Sequence, residues 1–196
     1  VRSDPSADRR PGVTSAGNGE ASRPNLQLPG WRRRHQPPHA PHFVIQHHAA
    51  TSDHYDFRLA VGDVLVSGAV PKGPSTNPKD KRMARRTEDH PLDYEWFEGT
   101  IPEGQYGAGR VIVWDRGTYI NESRYDMSEG LQRGHLSFWL DGQKLRGGYA
   151  LARIRDGADE TWLLVKKSDE YADARSSPVR SQPESVLSGR ALADLS

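Results

Sequence analysis

The sequence predicts a mainly β domain, an antiparallel barrel or sandwich of about eight short strands with one short helix. Three observations carry this. Apolar and polar residues alternate in short runs, the period of a half-buried strand. Turn-forming Gly, Pro and Asp residues fall between the runs. Only one stretch has a helical pattern with a cap at each end.

In chain order the predicted strands are Phe43–His48, Tyr55–Val61, Val64–Val70, Arg82–Glu88, Val111–Trp114, Leu136–Leu140, Tyr149–Arg155 and Thr161–Lys167. Gly62-Asp63 suits a tight hairpin after the second strand, and Pro71-Lys72-Gly73-Pro74 ends the third. Gly99–Gly109 reads as a Gly-rich turn rather than a phosphate loop, because it lacks the Gly-Lys-Ser/Thr ending and no helix follows. Asp126–Arg133 is the predicted helix, with Asp126 or Ser128 as N-cap and Gly134 just past its end. Asp141-Gly142 suits a second tight hairpin.

These elements define a folded domain over 43–170. Residues 1–42 hold seven of the 14 prolines and seven Arg against three acidic residues, a balance of +4, and read as a disordered or extended Arg/Pro-rich tail or linker. The other 154 residues carry −3, which the overall charge of +1 conceals. Residues 171–196 read as a C-terminal linker in which Val186-Leu187 and Leu192 to Leu195 could form a short docking helix. Opening on Val1, the chain reads as an excised piece or a processed chain.

At 196 residues a single core buries about 70% of the unfolded chain's surface, so no staple is required. The absence of Cys excludes thiolate nucleophiles, Cys-ligated zinc, iron–sulfur clusters and disulfides. No long apolar run or basic-then-apolar leader is present, which predicts a soluble cytoplasmic protein without a membrane partner.

The chemistry concentrates in His54-Tyr-Asp-Phe-Arg-Leu59. On a strand His54, Asp56 and Arg58 share one side, and Tyr55, Phe57 and Leu59 the other. Upstream, Val44, Gln46 and His48 share a face opposite Phe43, Ile45 and His47. If residues 49–53 fold the two segments together, His48, His54 and Asp56 converge. Two readings then stand: a mixed N/O metal site for Mn, Fe, Co or Zn, or an ordinary His54–Asp56 pair with His48 at the surface. The same donor set also serves non-haem iron oxygenases.

Lys72, Arg82 and the Glu88–Tyr94 loop with His90 and Tyr94 complete a phosphate-handling inventory, although a lone cation in a loop is usually solvated. The basic run Lys79–Arg86 could track a nucleic-acid backbone or blunt an edge strand. His35, His39 and His42 have no fixed geometry in a Pro-rich tail.

The segments Phe43-Val-Ile-Gln-His-His48, His54-Tyr-Asp-Phe-Arg-Leu59, Ser67-Gly-Ala-Val-Pro-Lys-Gly-Pro-Ser75, Glu88-Asp-His-Pro-Leu-Asp-Tyr94, Phe97-Glu-Gly-Thr-Ile-Pro-Glu-Gly-Gln-Tyr-Gly-Ala-Gly109 and Val111-Ile-Val-Trp-Asp-Arg-Gly117 resemble, in order, the 3′-phosphoesterase domain of bacterial ligase D. The resemblance implies a closed or nearly closed β-barrel that removes a terminal ribonucleoside and then the 3′-phosphate from DNA ends during non-homologous end joining. It implies manganese as the metal, with zinc or cobalt as alternatives, on His48, His54 and Asp56. Phosphate-contacting or catalytic roles fall on Arg58, His90 and Tyr94, and supporting roles on Gln46, Lys72, Arg82 and Glu88.

The implied partners are DNA 3′ ends, polymerase and ligase domains of the same chain, and Ku, in a nucleoid-associated setting. Pro183-Glu-Ser-Val-Leu-Ser-Gly189 resembles the connector into the ligase module. Ala49 stands where an acidic residue is usual, and no counterpart of the family's upstream Arg-Asp and Arg-Thr-x-Glu-Pro element precedes Phe43. Those departures carry an alternative, a DNA-end or partner-domain binding module with weak or lost catalysis.

Overall fold

A computed structural model describes residues 40–195, so the expectations for residues 1–39, among them Arg32–Arg34, His35 and His39, lie outside the described residues. Nine strands form one antiparallel sheet: β1 (His42–Ala49), β2 (Asp53–Val61), β3 (Val64–Val70), β4 (Arg82–Pro91), β5 (Gly99–Ile101), β6 (Gly109–Asn121), β7 (His135–Gly142), β8 (Arg146–Arg155) and β9 (Thr161–Lys166). The order β1-β2-β3-β4-β9-β8-β7-β6 closes through a β1–β6 pairing, and β5 adds to β6 as a ninth strand. The result is a closed eight-stranded barrel with one extra strand, which resolves the choice between barrel and sandwich.

Alternation fills the interior. Phe43 and Ile45 of β1, Tyr55, Phe57 and Leu59 of β2, Leu136, Phe138 and Leu140 of β7 and Trp162 and Leu164 of β9 belong to one buried cluster. Residues of the opposite parity point outward. On that outer face Val44, Ala60, Leu65 and Val113 form a second buried cluster, covered by Leu92, Tyr94 and Val186. Part of the outer wall is therefore roofed, and polar residues near that roof are withdrawn from water.

The expected elements recur with physical exceptions. Gly62-Asp63 turns between Val61 and Val64, with Gly62 at φ 63° in the first central position, where a two-residue hairpin favours Gly. Helix α1 (Met127–Arg133) starts at Asp126, whose side chain accepts from Glu129 N at 2.8 Å, and ends at Gly134 with φ 80°. Asp141-Gly142 does not make the second hairpin turn. Strand β7 runs through Gly142, and residues 143–145 turn around the buried Asp115 carboxylate, which accepts from the backbone N–H groups of Gln143, Lys144 and Leu145.

The same carboxylate explains why β6 runs on through the polar Asp115-Arg116 pair instead of stopping at Trp114. Gly117 continues it, since a Cβ there would collide with the Asp141 carbonyl. Strand β4 extends to Pro91 by pairing Leu65 with His90, and a 3-10 turn follows over Leu92–Trp96, a stretch expected to be loop. Because β4 pairs with both β3 and β9, the basic run on it guards no edge.

Residues 171–195, expected as a linker, lie against the barrel. A short helix α2 (Pro178–Ser181) sits at one end, where Trp114 Nε1 donates to Gln182 O at 2.7 Å. Beyond it Val186 N donates to Val113 O at 3.0 Å, and Arg110 Nη1 donates to Leu192 O at 3.0 Å. Polar composition suggested a linker, but backbone hydrogen bonds and the partly buried Val179 and Val186 fix the segment. Among the described residues no helix is long and apolar enough to cross a membrane.

Candidate metal and phosphate site

The β1–β2 hairpin sets the site by register. His48 lies opposite His54, Gln46 opposite Asp56 and Val44 opposite Arg58, and all six occupy the outward-facing positions. The next strand adds Ser67 opposite Arg58. His47, of the other parity, turns away: its ring stacks on Tyr55 at 4.2 Å, and Nε2 donates to Asp53 at 2.9 Å.

The ligand-type atoms of His48, His54 and Asp56 all lie within 4.8 Å of one another. His48 Nε2 donates to Gly107 O at 2.7 Å, and Nδ1 lies 3.3 Å from Asp56 Oδ2. His54 Nδ1 donates to Ser52 O at 3.2 Å, and Nε2 lies 3.1 Å from Asp56 Oδ1. Carbonyl and carboxylate oxygens only accept. Each ring therefore meets an acceptor on both sides, and the nitrogen facing Asp56 needs either a second proton or a shared cation. A backbone carbonyl on the outer nitrogen fixes the tautomer that leaves a lone pair inward, the usual support of a metal-binding imidazole.

The electrostatics agree. Burial pushes the Asp56 carboxyl up, but hydrogen bonds from His48 and His54 and the Arg58 charge outweigh it and hold the carboxyl far below the usual range. The hydrogen bond with Asp56 raises the His54 imidazole, against the opposing effect of burial.

Arg58 is only 4% exposed. Its Nε donates to Gln46 Oε1 at 2.7 Å, Nη1 donates to Ser67 Oγ at 2.8 Å, and Nη2 lies 3.5 Å from Asp56 Oδ2. Burial pulls the guanidinium below its ordinary value, and the Asp56 charge opposes that. Gln46 also donates to Tyr94 O at 2.9 Å and Phe97 O at 3.2 Å, so one buried amide ties Arg58 to the 3-10 turn that roofs it. Beneath that roof the Tyr94 ring centroid lies 5.1 Å from Arg58 Cζ and 4.8 Å from the His90 ring.

His90 Nδ1 stands between a donor, Arg58 Nη1 at 3.0 Å, and an acceptor, Glu88 O at 2.8 Å, and serves one of them at a time. Burial and then the Arg58 charge lower the His90 imidazole and favour its neutral form. Burial raises the Tyr94 phenol, so it keeps its proton.

These groups line one pocket of 260 Å³ that holds His48, His54, Asp56, Arg58, His90 and Tyr94 together. Gln46 backs the pocket without lining it. Glu88 is exposed and contributes its backbone carbonyl. Lys72 and Arg82 line a different cleft, so the structure does not bring them into the pocket.

Sequence reasoning missed four contributors. Ser67 was hidden because its importance lies in cross-strand register. Gly107 acts through its carbonyl, and the only visible signal was its place in a Gly-rich loop. Tyr106, beside it, lines the pocket while 78% exposed. Thr87 lines the pocket too, and its buried hydroxyl has no hydrogen-bond partner among the described residues.

Comparison with known proteins gives a consistent picture. A family model described as the DNA ligase D 3′-phosphoesterase domain matches residues 46–153, a span that includes every group of the pocket. The chain is 50% identical over 153 residues to the multifunctional non-homologous end joining protein LigD of Pseudomonas aeruginosa, covering 76% of this chain and 18% of that protein. It is also 50% identical over 128 residues to the multifunctional non-homologous end joining DNA repair protein LigD of Mycobacterium tuberculosis, covering 65% of this chain and 16% of that protein. The counterpart from Mycolicibacterium smegmatis is 41% identical over 133 residues, covering 65% and 17%. The chain thus spans less than a fifth of the length of these relatives.

Proposed function

Because the chain belongs to the DNA ligase D 3′-phosphoesterase family, we propose that the wall pocket hydrolyses phosphoesters at DNA 3′ ends with a divalent metal held by His48, His54 and Asp56. The observation that carries this is the pair of imidazoles, each pinned at its outer nitrogen by a backbone carbonyl and facing an Asp56 oxygen with the other. Two nitrogens and a carboxylate suit manganese, with zinc or cobalt as alternatives. When bound, such an ion polarises a phosphate oxygen and acidifies water.

The chain's own residues supply the rest. Arg58, fixed by Gln46 and Ser67, sets a guanidinium beside the metal ligands, where charge builds on the phosphate oxygens. Little reorganisation is required of it, since Gln46, Ser67, Asp56 and His90 already hold it. His90, in its neutral form, donates a hydrogen bond to the leaving oxygen. Tyr94 holds the His90 ring in place, and Thr87 offers its unpaired hydroxyl to a phosphate oxygen.

The substrates are 3′ ends of primer–templates bearing a ribonucleotide or a phosphate, in bacterial double-strand break repair. As in the relatives named multifunctional, the domain works beside other activities of a longer chain, here a polymerase and a ligase, with Ku as a partner in a cytoplasmic, nucleoid-associated setting.

The test is a primer–template with a 3′-terminal ribonucleotide, incubated with and without Mn²⁺. Metal-dependent shortening by wild type that is lost in His54→Ala is expected. Salt-sensitive end binding without turnover would replace this function with the binding-module alternative.

A further inference from the structure

A second cleft, larger than the pocket at 580 Å³, lies where the β3–β4 loop meets the C-terminal segment. Lys72 and Arg82 come from the barrel side, and Arg175 and Arg180 from the C-terminal side. Asp80 is the only acidic residue lining it, and it is already matched by Ser75 Oγ at 2.7 Å and Arg82 Nη2 at 3.6 Å. Among the described residues the side chains of Lys72, Arg175 and Arg180 make no ion pair or hydrogen bond, and the buried Nε of Arg82 has no partner.

The walls are built rather than loose. Thr76 Oγ1 donates to Asp173 O at 2.8 Å and to Ser176 O at 3.2 Å, Asp173 N returns a bond to Thr76 O at 2.8 Å, and Tyr149 OH reaches Ser75 O at 3.2 Å. At Gly73, with φ 73°, a Cβ would lie 2.9 Å from both the Tyr55 ring and a Val179 methyl, so loop and α2 pack in close contact there. Four cations line this fixed frame with only Asp80, which Arg82 already shares, to offset them, an arrangement that suits an anion between them.

We propose that this cleft seats successive backbone phosphates of nucleic acid distinct from the one reacting in the wall pocket, and that the C-terminal segment supplies half of its positive charge through Arg175 and Arg180. Register favours a strand of DNA as the occupant. Tyr55 pairs with Val70, so Lys72 lies beyond the His54 end of the β2–β3 pair, and Arg82 lies three residues beyond Arg85, the partner of Ala69, at the same end. A strand whose 3′ end enters the pocket and passes the His54 end runs toward these cations. The inference rests on the DNA-end reading of the pocket, and it makes residues 173–182 part of the substrate-binding surface.

The experiment measures binding of a primer–template duplex to the whole chain by fluorescence anisotropy in a chelator, across a series of salt concentrations, so turnover plays no part. Arg175→Ala with Arg180→Ala should weaken binding about tenfold and reduce the salt slope by about 1.4 to 1.8, the loss of two phosphate contacts. Cleavage of a dinucleotide too short to leave the pocket should not change. Arg175→Lys with Arg180→Lys should restore both affinity and slope. Removing two cations from β8, diametrically across the barrel from β2, by Arg146→Ala with Arg155→Ala should leave the slope at its wild-type value.

Wild-type affinity and slope in the Arg175/Arg180 variant, or an equal loss of dinucleotide cleavage, overturns the cleft. A wild type that turns over but shows this null result overturns the cleft alone. A wild type that never turns over, yet loses binding with the two arginines, overturns the pocket's function and leaves the cleft standing. Absence of salt-dependent binding by wild type overturns the cleft, and absence of turnover as well overturns both.

Discussion

In the wall pocket Arg58 is 4% exposed and its guanidinium is committed to Gln46, Ser67 and Asp56, whereas in the barrel-end cleft Arg175 and Arg180 have no partner among the described residues. The same side-chain chemistry thus occurs in two states. A guanidinium withdrawn from water and fixed in place is suited to a transition state, because its orientation does not change when charge develops. A solvated guanidinium is suited to attraction, because it exchanges counterions for phosphate and responds to salt. Perturbing the pocket should therefore change rate and stability together, and perturbing the cleft should change affinity alone.

The largest effect is expected at Asp56. Asp56→Asn removes the one negative charge between two imidazoles and the Arg58 guanidinium, and it should lower metal-dependent turnover about 10³-fold or more, equivalent to about 4 kcal/mol. Single-turnover kinetics at saturating Mn²⁺ measure it. Activity within tenfold of wild type would dissolve the contrast between the two regions.

Arg58 comes next. Arg58→Lys keeps the charge but loses the fork that reaches Gln46 and Ser67, and about 10² in rate should go with it. Arg58→Ala leaves Asp56 without its cation and Gln46 without its donor, so the fold should lose about 3 to 5 kcal/mol in denaturant titrations. In the cleft, Arg175→Ala should leave the denaturation midpoint unchanged.

How much of this contrast could be seen in the sequence depends on what carries it. The pocket's charged face was legible because His54, Asp56 and Arg58 keep one parity along a single strand, and Gln46 and His48 keep a matching parity on its neighbour. Ser67, Gly107 and the roof were not, since a cross-strand neighbour and a backbone carbonyl have no signature in residue type. Lys72 and Arg82 were expected among the phosphate-handling groups, and their place in a separate cleft was not legible, because Arg175 and Arg180 stood in a segment whose Ser- and Pro-rich composition suggested a linker. The barrel's strand count was legible, while the full length of β6 was not, since Asp115 looks like a strand end until the turn at 143–145 is seen to cap it.

A pH dependence of smaller size separates the regions further. The Asp56 hydrogen bond raises His54, so the stability contributed by its proton is fully present below the unfolded value of about 6.5 and is lost as pH rises through the higher folded value. Asp56, held low in the fold, contributes stability above its unfolded value of about 3.9 and loses it as pH falls through the lower folded one. The metal-free protein should therefore melt at its highest temperature between these limits and at a lower one by pH 8. On the proposed reading Mn²⁺ would take the place of the His54 proton, so its stabilising effect should grow over the same rise. Differential scanning at pH 5.5 and 8, with and without Mn²⁺, reads this, and His54→Gln should flatten the metal-free slope. The charged and titratable groups facing His54 are Asp53, Asp56 and His48, and a slope that survives His54→Gln would rule out His54 as its source.

The smallest single effect tests whether the pocket acts as a unit. Ser67 accepts from Arg58 Nη1 and donates to Leu65 O at 3.0 Å, and Ser67→Ala should cost about 1 kcal/mol because Nη1 still reaches His90 Nδ1 at 3.0 Å. His90→Ala removes the other partner and should cost a similar amount, with Ser67 remaining. The double variant leaves a buried guanidinium nitrogen with neither acceptor, so its cost should exceed the sum of the singles by about 1 kcal/mol. In the cleft the two arginines are solvated and share no partner, so their single effects on DNA affinity should add. A cycle of unfolding free energies for the first pair, set beside a cycle of binding free energies for the second, measures the contrast directly. Additivity in both would mean that Arg58 is held by separate contacts and that the pocket is no more preorganised than the cleft.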